Sequence, residues 1–153
     1  MFCLAKTQGL FWRLLHDRLN TRNLLRRKTF HLDNYNCATL NCQQEETLQH
    51  LFWTCPFAYD CWDILCPNRQ RNLSIMEAIP DIRDNLQQPF SMEIIIIASW
   101  AIHIIRNDKI FKNIPTSIDG WKFIFLSELH LLKLRIKEKF ASSFFSWLDS
   151  LVL

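Results

Sequence analysis

Apolar residues recur every three to four positions along most of this chain, a spacing that gathers them on one face of an α-helix. The first such stretch covers residues 6–18, in which Leu10 and Leu14 share a face. Arg13 and Asp17 lie on the opposite face of the same stretch. The pattern therefore predicts an amphipathic helix near the N-terminus.

A second, short helix is predicted directly after the first, ending at Lys28. It would begin at Asn20 and Thr21, whose side chains can accept hydrogen bonds from the free N–H groups of a first helical turn. Leu24 and Leu25 are expected to face inward. The two helices would form a helix-turn-helix-like pair.

Further apolar stretches predict helices along the rest of the chain. Their ranges are 45–54, 56–64, 74–87, 91–111 and 116–140, followed by a short amphipathic tail at residues 144–151. The longest apolar run, residues 94–105, is shorter than the roughly 20 residues that cross a bilayer, so it predicts a buried helix. Only two glycines occur, which also favours helices. The predicted fold class is all-α.

A polar linker at residues 67–73 divides the predicted helices into two parts. Residues 1–66 are predicted to form a small module. Residues 74–153 are predicted to form a helical region, whose three longer helices pack as an antiparallel bundle. The chain has 153 residues, of which 49% are hydrophobic, and this is enough for a substantial core.

Four residues that can bind a soft metal ion lie within nineteen positions: Cys37, Cys42, His50 and Cys55. Zinc is bound tetrahedrally by thiolates and imidazoles, and two short ligand pairs let one loop and one helix enclose the ion. Four protein ligands leave no position for water or substrate, so the predicted Zn²⁺ is structural. The first part would then be a zinc-stabilised helical module.

The six cysteines also allow two other interpretations. One is a disulfide framework, but the N-terminus lacks the pattern of a secretory signal, so a reducing, intracellular compartment is expected. Cys3, Cys61 and Cys66 would then be free thiols or core residues. The other is a cluster without metal, because cysteine is common in cores and a histidine can be satisfied by hydrogen bonds.

Positive charge is concentrated at the start of the chain, although the net charge is only +3. Residues 1–31 contain seven basic residues and one acidic residue, whereas residues 33–66 contain five acidic residues and no Lys or Arg. A phosphate-binding surface is therefore expected near the N-terminus. The predicted nucleic-acid-binding residues, here called the basic arm, are Arg18, Arg22, Arg26, Arg27 and Lys28. The first three would share a face if the helical path were nearly continuous.

The first part resembles the reverse-transcriptase zinc-binding domain, which closes the polyproteins of plant non-LTR retrotransposons. Residues 11–27, the Cys37/Cys42 loop and residues 46–58 carry the similarity, and residues 100–107 are similar to a segment that commonly follows. The resemblance implies structural zinc, a nucleic-acid partner and a neighbouring polymerase part. The family usually has its second cysteine at the position of Leu40, and Cys42 is predicted to replace that ligand. The alternative is a degraded site, and the reserve ligands are His31 and Cys61.

No pattern in the sequence indicates a reaction centre, because there is no glycine-rich phosphate loop, nucleophile elbow or pair of polymerase aspartates. His16 beside Asp17 and His103 near Asp108 are interpreted as structural, since neither pair has a third orienting group. The protein is predicted to be no enzyme, with no catalytic residue, no small-molecule substrate and no membrane partner.

The leading hypothesis is a non-catalytic, zinc-stabilised nucleic-acid-binding module from the C-terminal end of a non-LTR retrotransposon reverse transcriptase. It would bind RNA or DNA inside the cell, and a nuclear location is compatible with that role. One alternative is a protein-interaction scaffold that docks on the polymerase part or self-associates through its C-terminal helices. Another is a fragment of a decayed element without selected function.

Overall fold

The structure is a computed structural model that describes residues 4–39 and 42–151. Cys3 and Leu40 lie outside the described residues. The described chain is 66% helical and contains no strand, which confirms the all-α prediction. The α-helices are α1 (Ala5–Leu15), α2 (Arg22–Arg27), α3 (Pro56–Leu65), α4 (Ile75–Leu86), α5 (Ser91–Lys112), α6 (Ile118–Lys133) and α7 (Glu138–Ser150), and a π-helical turn (His50–Thr54) precedes α3.

A sharp turn separates α1 from α2. The backbone of Asp17 has a φ of 50°, and Arg18 N donates a hydrogen bond to Arg13 O at 2.8 Å. Thr21 caps α2 by accepting a hydrogen bond from Leu24 N, as the sequence predicts. Because the helical path is interrupted at this turn, Arg18 does not continue the helical face formed within α2.

The predicted helix at residues 45–54 is shorter in the structure. Glu45 forms an isolated antiparallel bridge with Asn36, and helical backbone begins only at Leu48. The neighbouring residues are paired in the same way, since Cys37 N donates a hydrogen bond to Gln44 O at 2.7 Å. Those loop contacts replace the first turn of the expected helix.

The predicted helix at residues 116–140 is divided in the structure. Its first part, α6, ends at Lys133, and α7 begins at Glu138. Between them the chain folds back, which lets Phe144 pack edge-to-face on Phe90 with ring centres 5.2 Å apart. Both rings are fully buried. Burial of the two aromatic side chains stabilises this arrangement of α7.

The long helix α5 lies at the centre of the fold. It contacts α1, α3, α4, α6 and the π-helical turn. Its apolar residues are buried, and one hydrophobic cluster extends from Leu10 in α1 to Phe144 in α7. Residues from both sides of the predicted linker contribute to this cluster. The division into residues 1–66 and 74–153 stays a prediction.

The linker region also contains a buried cation. Arg69 is 5% exposed, and its guanidinium lies 4.9 Å from the ring centre of Trp53 and 5.2 Å from that of Tyr59. Asp63 lies 3.1 Å from its Nη2 atom. These contacts hold residues after α3 against the π-helical turn.

None of the helices in residues 4–39 and 42–151 is long and apolar enough to cross a bilayer.

Candidate metal centre

The four predicted zinc ligands converge at one point in the structure. The ligand atoms of Cys37, Cys42, His50 and Cys55 all lie within 4.8 Å of one another. Cys37 Sγ is 3.8 Å from Cys55 Sγ, and Cys42 Sγ is 3.1 Å from His50 Nε2. In a tetrahedral zinc site with Zn–S bonds of about 2.3 Å, two sulfurs lie about 3.8 Å apart. The donor set and its spacing therefore fit zinc.

A loop and the π-helical turn bring these ligands together. In the loop, Cys42 N donates a hydrogen bond to Thr39 O at 3.1 Å. In the π-helical turn, Cys55 N donates to the carbonyl of His50, five residues earlier, at 2.7 Å. The wider π-type hydrogen bond sets His50 and Cys55 about one turn apart on the side that faces the loop. An α-helix was expected at this position, and the hydrophobic pattern gives no signal that distinguishes the two.

The cluster is shielded from solvent and supported by neighbouring hydroxyl groups. Cys37 and His50 are each 6% exposed and Cys55 is 1% exposed. Thr39 Oγ1 lies 3.2 Å from Cys37 Sγ and 3.5 Å from Cys55 Sγ. Thr54 Oγ1 lies 3.5 Å from His50 Nδ1. Such contacts around a metal ligand orient its side chain and stabilise the site.

The hydrogen bond between Cys37 and Cys55 favours the thiolate of Cys55 and the neutral thiol of Cys37. The hydrogen bond from Cys37, assisted by His50 and Thr39, lowers the pKa of Cys55 to about 3. The same hydrogen bond and burial raise the pKa of Cys37. Zinc binds thiolates, so zinc binding would require Cys37 to lose its proton, whereas Cys55 is already favoured as the thiolate.

The remaining cysteines of the described chain do not take part in the cluster. Cys61 and Cys66 are free, buried thiols. Burial raises the pKa of Cys66 to about 11 and also raises that of Cys61. Neutral thiols of this kind are ordinary core residues.

Two members of the basic arm form ion pairs with acidic neighbours. Arg26 pairs with Glu45, and Arg27 Nη2 lies 2.6 Å from Asp17 Oδ2. The side chains of Arg27 and Asp17 are about half exposed, so this pair exchanges readily with solvent ions. The sequence alone could not show these pairings, and they reduce the net positive charge of the arm.

The other members of the basic arm differ in their surroundings. Arg22 Nη1 donates a hydrogen bond to Asn36 O at 2.7 Å, so its guanidinium supports the loop that carries Cys37. Arg18 is exposed, and its guanidinium lies 5.3 Å from the ring centre of Trp12. Lys28 is also exposed. Neither Arg18 nor Lys28 forms an ion pair within the described part of the chain.

A buried ion pair fixes the α1–α2 region to α5. Arg106 contacts both carboxylate oxygens of Glu46, with Nη2 at 2.5 Å from Oε1 and Nε at 3.2 Å from Oε2. Glu46 is fully buried and also accepts a hydrogen bond from Arg22 N at 3.0 Å. In the sequence, Glu46 belongs to an acidic stretch and to a segment that carries the family similarity, and neither pattern indicates a buried ion pair. The one signal was an arginine at the end of an apolar helix, which commonly needs a partner when buried.

A cavity of about 620 Å³ lies between the α1–α2 turn, the loop at residues 32–34 and α5. Its lining combines cationic, acidic, polar and apolar side chains, among them Arg13, Arg18, Asp33, His103, Ile110 and Phe111. Of the residues that line the cavity, Arg18 and Arg22 belong to the basic arm.

His103 is held uncharged at the wall of this cavity. Burial, followed by the charges of Arg106 and Arg13, lowers the pKa of His103 to about 4. Its Nε2 atom lies 2.9 Å from Asn107 Nδ2. Asp108, which the sequence suggested as a partner, instead pairs with Lys112 at 2.7 Å. His103 is interpreted as a structural residue, and the contact that supports this role is the one with Asn107.

We expect His103 to reduce stability at acidic pH. An unfolded imidazole has a pKa of about 6.5, so between about pH 6.5 and about pH 4 the unfolded chain binds more protons than the folded chain. The free energy of unfolding should fall across that window by up to about 3 kcal/mol. Denaturant unfolding of wild type and His103→Gln at several pH values isolates this contribution, because His50 is common to both. Parallel pH profiles would contradict the expectation.

Comparison with known proteins gives one match. Residues 2–62 match the protein family described as zinc-binding in reverse transcriptase. The matched segment includes α1, α2, the whole four-ligand cluster and most of α3. No curated protein and no solved structure matches the chain significantly. The predicted resemblance to the reverse-transcriptase zinc-binding domain and the predicted structural zinc are confirmed, because the matched family and the cluster both fit that ion.

Proposed function

We propose, on the basis that residues 2–62 match the zinc-binding family of reverse transcriptases, that this protein is a zinc-stabilised nucleic-acid-binding module without a catalytic centre. The observation that carries the proposal is the closed four-ligand cluster beside exposed basic residues. The family itself describes a zinc-binding region and not a polymerase centre.

Cys37, Cys42, His50 and Cys55 are the zinc ligands in this proposal. A bound zinc ion would join the loop to the π-helical turn and would leave no coordination position for a substrate. Arg22 extends the effect, because its guanidinium holds the loop while its backbone N–H contacts Glu46. The cluster therefore supports the geometry of the basic arm.

Within the basic arm, Arg18 and Lys28 are proposed as the main phosphate contacts, since both are exposed and without an ion pair in the described chain. Arg26 and Arg27 must exchange a carboxylate for a phosphate, so their net contribution is smaller. Such contacts position a nucleic acid without reading its sequence.

Salt-dependent binding tests this function. We expect the zinc-loaded protein to bind RNA or DNA with an affinity that falls steeply as salt rises, because each phosphate contact releases a counterion. The double variant Arg18→Gln/Lys28→Gln should reduce the slope of log affinity against log salt by about 1.4 on single strands. Fluorescence anisotropy at several salt concentrations measures this slope.

The matched control for that measurement is Arg83→Gln/Lys139→Gln, which removes the same charge from exposed positions in α4 and α7. Its slope should equal that of wild type. A flat salt response of the wild type, or equal slopes in both double variants, would exclude phosphate binding by the basic arm.

We further infer an origin at the C-terminal end of a non-LTR retrotransposon reverse transcriptase of the plant type, with a nuclear location and the polymerase part as a protein partner. The support is the family match together with the similarity of residues 100–107. A decayed fragment without selected function is the alternative origin. Nucleic-acid binding with the salt dependence above would argue against it.

A scaffold role through the C-terminal helices is the second candidate function. Phe144, in the predicted C-terminal tail, is fully buried in the structure, whereas Phe145 is 37% exposed. Further exposed apolar side chains occur at Leu131 (42% exposed) and Leu134 (81% exposed). Self-association measured by analytical ultracentrifugation, and lost in the variant Leu131→Ala/Leu134→Ala, would favour this role.

A further inference from the structure

The cavity beside α5 combines two features that a nucleotide requires, namely exposed cations and an apolar wall. We propose that it binds one unpaired nucleotide of a single-stranded nucleic acid. The phosphate would lie on Arg13 and Arg18, and the base would lie against Ile110 and Phe111. This inference rests on the proposed function and adds to it the class of nucleic acid and the place where a base is held.

The cationic side of the cavity is supplied by α1 and the α1–α2 turn. Arg13 and Arg18 are exposed and form no ion pair with any described residue. The positive charge of Arg13 helps to lower the pKa of His103 on the cavity wall, after burial and the charge of Arg106. Arg106 also lines the cavity, but its charge is compensated by Glu46. Asp33 in the loop opposite is the one carboxylate among the residues that line the cavity. Two guanidinium groups therefore face one carboxylate, and the excess positive charge remains available for a phosphate group.

The apolar side of the cavity is supplied by the end of α5 and the loop opposite. Phe111 lines the cavity although 76% of its surface is exposed, and Leu32 across from it is 38% exposed. An exposed aromatic ring beside arginines is the arrangement on which bases of single strands stack. The amide side chains of Asn20 and Asn34 line the same cavity and offer donors and acceptors to a base edge.

The recessed shape favours an unpaired base over a duplex. The cavity volume of about 620 Å³ lies within the range of about 300–1,000 Å³ typical of small-molecule sites. A base can enter such a recess only when it is unstacked and unpaired. A duplex would offer only phosphates to Arg13 and Arg18, and its bases would not reach Phe111.

A pair of matched phenylalanine variants tests the base contact. Phe111→Ala and Phe123→Ala each remove an exposed ring, but only Phe111 lines the cavity. With zinc-loaded full-length protein and a labelled mixed-sequence oligonucleotide, Phe111→Ala should weaken binding of the single strand about tenfold. Binding of the corresponding duplex should change less than about twofold, and Phe123→Ala should behave as wild type. Equal losses on strand and duplex would overturn the proposal.

A second variant tests the phosphate contact independently of the ring. Arg13→Gln should reduce the salt slope for the single strand by about 0.7, whereas Arg83→Gln in α4 should leave it unchanged. Arg13 and Phe111 are both exposed, so the variants are expected to fold, and circular dichroism checks this. If both bind the strand as wild type while Arg18→Gln/Lys28→Gln is impaired, the cavity proposal fails and the proposed function stands.

Two further outcomes separate the remaining explanations. Absence of any nucleic-acid binding by the zinc-loaded wild type would overturn the cavity proposal and the proposed function together. In a competition experiment, an unlabelled strand and a nucleoside monophosphate each displace the labelled strand. If both do so at the same concentration, the cavity is assigned to free nucleotides and the single-strand proposal is overturned. Competition by the monophosphate only at far higher concentration would support it, since a strand adds contacts on the basic arm.

Discussion

Replacement of Cys55 by serine is expected to abolish stoichiometric zinc binding and to destabilise the protein by several kcal/mol. Cys55 is 1% exposed and lies 3.8 Å from Cys37 Sγ at the centre of the cluster. Structural zinc contributes apparent binding free energies of about 10–16 kcal/mol in small zinc modules, and this energy is available only to a folded site. A serine hydroxyl is a poor zinc ligand at neutral pH, so most of that contribution should be lost.

Metal analysis and thermal denaturation measure the two parts of this expectation. Wild type should contain one zinc per chain, and Cys55→Ser should contain less and melt at a lower temperature. The matched control is Cys66→Ala, which removes another buried thiol (1% exposed) outside the cluster and should retain one zinc. If metal-free wild type melts at the same temperature as the zinc-loaded protein, zinc has no structural role.

The same measurement on Cys42→Ser addresses the ligand that departs from the usual family spacing. Cys42 is the least buried of the four residues, yet its Sγ atom lies 3.1 Å from His50 Nε2. If it replaces the ligand expected at position 40, its variant should lose zinc as Cys55→Ser does. Full zinc content in Cys42→Ser would instead identify a three-residue site.

The metal cluster could be predicted from sequence because its ligands are close along the chain. Cys37 and Cys55 bound a segment of nineteen residues, and a loop within that segment is enough to bring them together. The rest of the fold has little influence on this contact. The π-helical turn could not be predicted, because its hydrophobic spacing resembles that of an α-helix and only the His50–Cys55 backbone hydrogen bond distinguishes it. The predicted helices at residues 45–54 and 116–140 were wrong in their ranges for a related reason. The backbone bridge at Glu45 and the packing of Phe144 are tertiary contacts, and they override the local hydrophobic periodicity.

The number of charged residues in the basic arm does not predict how much of that charge is free to bind a phosphate. Residues 1–31 and 33–66 have opposite charge in the sequence, and the structure uses part of that charge internally through Arg26–Glu45. Arg13 received no role from the sequence because it lies on the first helix, five residues before Arg18. Only the turn at Asp17, whose φ of 50° reverses the chain, brings Arg13 and Arg18 to one cavity.

Removal of the Arg106 guanidinium should destabilise the protein by about 3–5 kcal/mol, because it leaves the fully buried Glu46 carboxylate without its charged partner. The pair joins positions 60 residues apart, and Arg106 Nη2 also lies 3.4 Å from Asn20 O in the α1–α2 turn. Arg106→Met keeps much of the aliphatic volume while removing the charge. Urea unfolding of the zinc-loaded variant measures the loss.

A double-mutant cycle separates the ion pair from packing effects. Glu46→Gln/Arg106→Met should cost less than the sum of the two single variants, since no unpaired charge remains in the double variant. The control cycle uses the half-exposed pair Asp17 and Arg27, where Asp17→Asn and Arg27→Met should couple by less than about 1 kcal/mol. Equal coupling in the two cycles would mean that Glu46 and Arg106 interact no more strongly than a surface pair. A large coupling confined to Glu46 and Arg106 would show that α5 holds the segment between Asn20 and Glu46 in place.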